Sequence, residues 1–178
     1  MLAPKVPAAP CAAKCTQTTL ASWHVMLRVV HHWQTSQPRD FKLDARFFDT
    51  NVLVYCTDNQ SPAKQTVALG LVEKHSAAVQ AVISTQVLIE LYNVLVNKQK
   101  VPAHLAAELV NQYAVRSMVH RNFTLVQNAI ARTLEQRLSI WDAMVAQAAN
   151  CCSADTLLPE DMSNGVRYGA TVVVNPFL

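Results

Sequence analysis

Arg46-Phe47-Phe48-Asp49-Thr50-Asn51-Val52-Leu53-Val54-Tyr55 sets one carboxylate in the middle of an apolar run. By hydrophobic periodicity the run reads as a first strand that continues through Tyr55. Asp58, Asn59, Ser61 and Pro62 then signal a helix start, and Ala63 to His75 follows with helical spacing. Ala77 to Ser84 reads as a second strand. A helix over Gln86–Asn97 follows, with Val87, Leu88, Leu91, Val94 and Leu95 on its apolar face. Pro102 opens another helix to about Val115, and Ser117 to His120 is a short third strand. Thr124 to Gln136 and Ile140 to about Cys151 are helical. Thr156 to Leu158 and Thr171 to Val174 are the fourth and fifth strands. Short strands alternating with helices imply an α/β fold, an about five-stranded parallel sheet with helices on both faces.

Composition narrows the function classes. Of 178 residues, 51% are apolar and 15% charged, so there is ample material for a core and the chain as a whole is not disordered. Only Gly70, Gly165 and Gly169 are glycine, so neither a dinucleotide-type nor a P-loop phosphate cradle can be written. No apolar run approaches the ~18 residues that a membrane span needs. The five cysteines, Cys11, Cys15, Cys56, Cys151 and Cys152, are odd in number and suggest no disulfide framework, which favours a reducing compartment.

The net charge of +3 is unevenly spread. Residues 1–39 hold Lys5, Lys14, Arg28 and Arg39 and no acid, a charge of +4, which leaves −1 for residues 40–178. The body therefore has no strong basic stripe for nucleic acid. Residues 1–42 read as a flexible N-terminal extension and 43–178 as the folded domain. Leu20, Trp23, Leu27 and Val30 are spaced for a short amphipathic helix, and Gln34 to Asp40 reads as the boundary. The extension is compatible with a transit peptide, a dispensable leader or an early start codon. A zinc site of Cys11, Cys15, His24, His31 and His32 can be sketched, but the spacing fits no standard finger.

Sites in open parallel sheets form beyond the carboxyl ends of the strands. Asp49 follows the first strand, Glu90 lies early in the helix after the second, Asp142 lies in the first turn of the helix from Ile140, and Asp161 follows the fourth strand. Four of only 12 acids would thus converge on one sheet edge. Crowded carboxylates raise each other's pKa, and a hard cation such as Mg²⁺ or Mn²⁺ resolves the repulsion. Each also has a structural explanation. Asp142 completes a Ser139-x-x-Asp142 helix start, Glu90 suits a solvated helix face, and Asp161 a turn. Asp49, among Phe47, Phe48, Val52 and Leu53, is the hardest to explain that way, since an unpaired carboxylate there is costly. Asp155 begins the strand that Asp161 follows, roughly 20 Å away at ~3.3 Å per residue, and is set aside. His75, His104 and His120 are scattered, and no Ser/His/Asp or Cys/His arrangement stands out.

Phe47 to Tyr55 resembles the opening of a PIN domain. Ser84-Thr85-Gln86-Val87-Leu88-Ile89-Glu90-Leu91 resembles that family's second acidic block, and Leu138-Ser139-Ile140-Trp141-Asp142-Ala143-Met144-Val145 its third. Asp155 to Met162 with Asn164-Gly165 resembles the fourth, and Val174-Asn175-Pro176-Phe177 the usual chain end. The nearest subgroup is the VapC-type toxins of bacterial toxin–antitoxin pairs. The resemblance implies a Mg²⁺- or Mn²⁺-dependent endoribonuclease in which Asp49, Glu90, Asp142 and Asp161 bind the metal and Asn51 supports them. It also implies that the first strand ends near Asp49 and that Asn51 to Cys56 is a short helix. The extension at 1–40 and Cys151-Cys152-Ser153 depart from the family pattern.

The expectation is a cytoplasmic hydrolase acting on RNA phosphodiesters, homodimeric, bound by a cognate antitoxin protein and not by a membrane. Lys64, Lys98, Lys100, Arg132, Arg137 and Arg167 are the candidate RNA contacts. The alternative is a catalytically inactive PIN-like module that binds RNA or the antitoxin. A haloacid-dehalogenase-type phosphatase would need a second Asp two residues after Asp49, where Asn51 stands.

Overall fold

The computed structural model describes residues 44–78, 80–114 and 118–178. The amphipathic pattern at 20–33, the boundary at 34–40, the sketched zinc site and the rest of the extension lie outside them. The described chain is a mixed α/β unit. Its strands are β1 (Arg46–Phe48), β2 (Ala81–Ser84), β3 (Met118–Val119), β4 (Thr156–Leu158), β5 (Arg167–Tyr168) and β6 (Thr171–Val173). Its helices are α1 (Thr50–Tyr55), α2 (Pro62–Ala77), α3 (Thr85–Asn97), α4 (Ala103–Ala114), α5 (Phe123–Gln136) and α6 (Ile140–Cys151).

The sheet order is β3-β2-β1-β4-β6-β5. Every pairing is parallel except β5 with β6. The sheet thus has six strands rather than about five, and it is mixed. The added strand is two residues long, too short for any periodicity to announce, and its hairpin turns at Gly169 with φ +65°. A Cβ on Gly169 would also meet Asn150 Oδ1 at 2.8 Å, so both the backbone conformation and the space call for glycine there.

Two further boundaries differ from the periodic reading. β1 stops at Phe48, and Thr50 to Tyr55 is helical, as the resemblance implied and as the apolar run by itself did not. A fully buried strand and a buried helix carry the same continuous apolar signal. The second strand begins at Ala81 rather than Ala77, because α2 runs through Ala77. Side-chain caps fix other helix starts. Ser84 Oγ accepts from Val87 N at 3.3 Å, Asn122 Oδ1 from Leu125 N at 2.8 Å, and Ser139 Oγ from Asp142 N at 3.1 Å.

All four residues of β2 and all three of β4 are buried. Successive strand residues point to opposite sides, so both faces of the sheet's centre are covered. Phe47, Phe48, Leu53, Ile83, Leu91, Leu95, Leu109, Tyr113 and Leu157 are the largest fully buried side chains. β1 pairs Phe47 with Val82 on one side and with Leu157 on the other. The chain therefore leaves β1 toward β2 on one flank and later returns to β4 on the other. The connections leaving β1 and β4 run to opposite sides of the sheet at this switch point, which is where an open parallel sheet makes a crevice.

Candidate active site

The crevice has a volume of about 510 Å³, and Asp49, Glu90, Asp142 and Asp161 all line it. The fold delivers each by a different element. Asp49 is the N-cap of α1 directly after β1. Glu90 is in the second turn of α3. Asp142 is in the first turn of α6. Asp161 follows β4 in the turn after Pro159. Asp155 sits at the start of β4, where its backbone pairs with Ala45 and Val172, and it does not reach the cleft.

Three carboxylates are held by hydrogen-bond donors. Glu90 is gripped at both oxygens, Oε2 by Thr50 Oγ1 at 2.8 Å and Oε1 by Gln86 Nε2 at 2.9 Å. Asn51 Nδ2 donates to Asp161 Oδ2 at 3.3 Å. Ser139 Oγ donates to Asp142 Oδ2 at 2.8 Å while accepting from the Asp142 backbone. Asp142 therefore belongs to the helix start and to the cleft wall at once, so the two explanations of it are not exclusive.

Asp49 behaves differently. Burial pushes its carboxyl from 3.8 up to about 7; the Thr50 backbone N–H opposes the rise, and the charges of Glu90, Asp142 and Asp161 add to it. Asp49 still keeps some solvent-accessible surface. The dense packing around its carboxyl outweighs that opening, because the hydrophobic neighbours Phe48, Val52 and Leu53 are fully buried.

Among the described residues, no Lys or Arg is ion-paired with these four carboxylates. Lys98, at the C-cap of α3, is the one Lys or Arg among the described residues lining the cleft. Lys64, expected to face RNA, is committed elsewhere: it pairs with Glu160, bonds Tyr55 Oη at 3.0 Å and lies over the Tyr55 ring at 4.8 Å. Arg132 is likewise engaged, with Gln136 and Gln147 at 3.2 Å and with the Tyr168 ring. Lys100, Arg137 and Arg167 do not line the cleft. The apolar wall includes exposed Ile89 and Trp141.

The donor set is all oxygen, which suits a hard divalent cation. Gln86 also lines this cleft, and its Oε1 is buried without a hydrogen-bond partner among the described residues. By chemistry these residues fit Mg²⁺ or Mn²⁺. By position they are not gathered into a cage: among the described residues, no group of three or more His, Cys, Asp or Glu is arranged to hold a metal ion. Gln86 and Thr50 are among the cleft residues that the sequence reading did not single out, as are Asn93 and Trp141. The signal was there, since Thr50 adjoins Asp49 and Gln86 precedes Glu90 by four residues, on the same helix face.

His75 is buried, its Nδ1 is 3.0 Å from Gln80 Oε1, and burial lowers its pKa; it packs edge-on to Phe48, away from the cleft. Cys56, Cys151 and Cys152 are free thiols. Among the described residues no helix is long and apolar enough to cross a membrane. No protein-family model matches the chain, and no curated protein matches it significantly.

Proposed function

We propose that this chain is a Mg²⁺- or Mn²⁺-dependent endoribonuclease of PIN type, the toxin of a toxin–antitoxin pair acting in the cytoplasm. The observation that carries the reading is the convergence of Asp49, Glu90, Asp142 and Asp161 on one cleft, with the Asp49 carboxyl raised to about 7 by burial and by the other three charges. Uncompensated acidity costs stability, and a site that accepts this cost is poised for a cationic ligand. The choice of RNA, and of a toxin, rests on the likeness of the four acidic blocks to PIN domains.

In this reading the four carboxylates hold the cation. Thr50 and Gln86 orient Glu90, Asn51 orients Asp161, and Ser139 orients Asp142. A bound divalent cation would supply a Lewis acid for the phosphoryl oxygens and a lowered pKa for attacking water. Lys98 offers a positive charge to a backbone phosphate at the cleft wall, and Trp141 an open face on which a base can stack. The test is to incubate the purified protein with RNA, with Mg²⁺ or Mn²⁺ and then with EDTA. Metal-dependent cleavage that EDTA abolishes is expected; intact RNA under both metals would refute the activity.

A second reading is favoured by the absence of a gathered metal cage among the described residues. There the same fold binds RNA or an antitoxin without cleaving. RNA retained on the protein but never cut, with or without metal, would establish it.

The homodimer and the antitoxin contact belong to the same proposal. Phe123, Ile130 and Leu134 are exposed on α5, and their spacing of seven and four residues sets them on one helical face. Ile89, Tyr92 and Trp141 are exposed at or near the cleft, where a partner's apolar helix face can lie. Size-exclusion chromatography is expected to show a dimer. A monomer that no neighbouring gene product binds would remove both partners.

A further inference from the structure

Gln86 is only 3% exposed, yet it lines the acidic cleft. Its Nε2 donates to Glu90 Oε1 at 2.9 Å and lies 3.4 Å from the Trp141 carbonyl in the first turn of α6. One amide thus ties the helix that carries Glu90 to the helix that carries Asp142. The other end of the same amide, Oε1, is buried with no partner among the described residues. A glutamine serving only to join α3 and α6 would be expected to satisfy both ends, because an unpaired buried acceptor is costly. No described residue supplies a donor to this oxygen. Beside four carboxylates, a water on a bound cation is the donor whose chemistry fits.

We infer that Gln86 is a positioning residue of the acidic site: it fixes the Glu90 carboxylate relative to Asp142 and accepts a hydrogen bond from water carried by a divalent cation. The inference rests on the metal-binding part of the reading above. It makes Gln86 the kind of outer partner that orients a ligand and tunes the metal without touching it.

The test uses the full chain and Mn²⁺ alone. Gln86→Met keeps the length and apolar stem of the side chain and removes both amide functions. Gln112→Met is the control: Gln112 on α4 also has a buried, unpartnered Oε1, but it does not line the cleft. Tm is measured in EDTA, and Mn²⁺ binding by the electron paramagnetic resonance signal of free Mn²⁺, well below the lowest Tm. For Gln86→Met the Mn²⁺ dissociation constant should rise by about 10–100-fold, and the Tm in EDTA shows that the variant is folded at the temperature of the titration. Gln112→Met should bind Mn²⁺ as the wild type does. A Gln86→Met protein that binds Mn²⁺ as tightly as the wild type overturns the inference, whatever its Tm; so does a control that weakens equally. If the wild type binds Mn²⁺ but cuts no RNA, the nuclease reading falls and the role of Gln86 stands. If the wild type binds no Mn²⁺, both fall.

Discussion

Glu160 and Asp161 are neighbours in sequence and opposites in circumstance. Glu160 has a cation: it pairs with Lys64, accepts from Tyr55 Oη at 2.7 Å, and sits in a cluster where Phe177 packs on Tyr55 at 4.9 Å. Its pKa is lowered, burial opposing the lowering and the Lys64 and Tyr55 hydrogen bonds carrying it. Its backbone carbonyl accepts from Asn175 Nδ2 at 2.8 Å, which ties the chain end to this turn. Asp161, one residue on, faces the cleft with Asp49, Glu90 and Asp142 and takes its donor from the neutral Asn51. One carboxylate is spent on holding the fold. The other stands where negative charge is gathered with no ion-paired cation among the described residues. The contrast separates structural acidity from acidity held ready for a ligand.

The largest expected effect lies in the cleft. Asp142→Asn should lower RNA cleavage by more than about a hundredfold, beyond the usual cost of an outer-sphere change, with Mn²⁺ affinity falling alongside. Its metal-free Tm should hold or rise, because one of several crowded charges is removed. If Asp142 served only the helix start, the outcome would reverse: about 0.3–1 kcal/mol of stability lost and activity kept. Tm in EDTA, metal titration and cleavage rate on one preparation decide between them.

Asp49→Asn sharpens the same contrast through pH. Burial holds the folded carboxyl at about 7, above its ordinary value of 3.8. The folded state therefore holds a proton that the unfolded state releases first. That advantage is complete below about pH 4 and is lost as pH rises to 7. Without metal, the wild type should lose stability across this window, while Asp49→Asn should not. At ~1.4 kcal/mol per unit, Asn should be more stable by on the order of 2–4 kcal/mol at pH 8, and near equal at pH 4. Chemical denaturation at the two pH values measures it, and equal curves would show that Asp49 is not strained.

Trp141→Ala should leave Tm nearly unchanged, because the side chain is 60% exposed. Single-stranded RNA affinity should fall by about 1–3 kcal/mol, the usual worth of one stacked base. Quantitative binding in EDTA checks this, and unchanged affinity would separate the apolar wall from the acidic floor.

The smallest effect belongs to the structural side. Glu160→Gln should lower stability slightly at neutral pH, with the difference shrinking in high salt. The lowered pKa means that the contribution of Glu160 is present above the ordinary carboxylate range and fades as pH falls through its folded value. Metal affinity should be unmoved. A large loss of Mn²⁺ binding in Glu160→Gln would show that the two neighbours act as one site.

Much of this was legible in the chain order of the residues. Alternating apolar segments and helix starts gave the mixed α/β class, and the rule that sites form beyond strand ends selected Asp49, Glu90, Asp142 and Asp161 over Asp155. Ser139 announced the helix it caps, whereas Ser84, which also caps one, reads in sequence as the end of a strand. Short-range signals of this kind depend on backbone propensity and side-chain period, which a sequence carries locally. Three features needed the tertiary structure. The run through Tyr55 is a strand and then a helix, which periodicity alone does not divide, because Val52-Leu53-Val54-Tyr55 is one unbroken apolar stretch that suits either. The hairpin at Gly169 is two residues deep on each side, and only pairing with β4 makes it part of the sheet. The fates of the charges are set by distant partners. Lys64 is drawn to Glu160 across 96 residues and Arg132 is held by Gln147 and Tyr168, which leaves Lys98 facing the acids. Sequence states which charges exist; the long-range packing of β1 against β4 decides which of them are neutralised and which are left to meet a ligand.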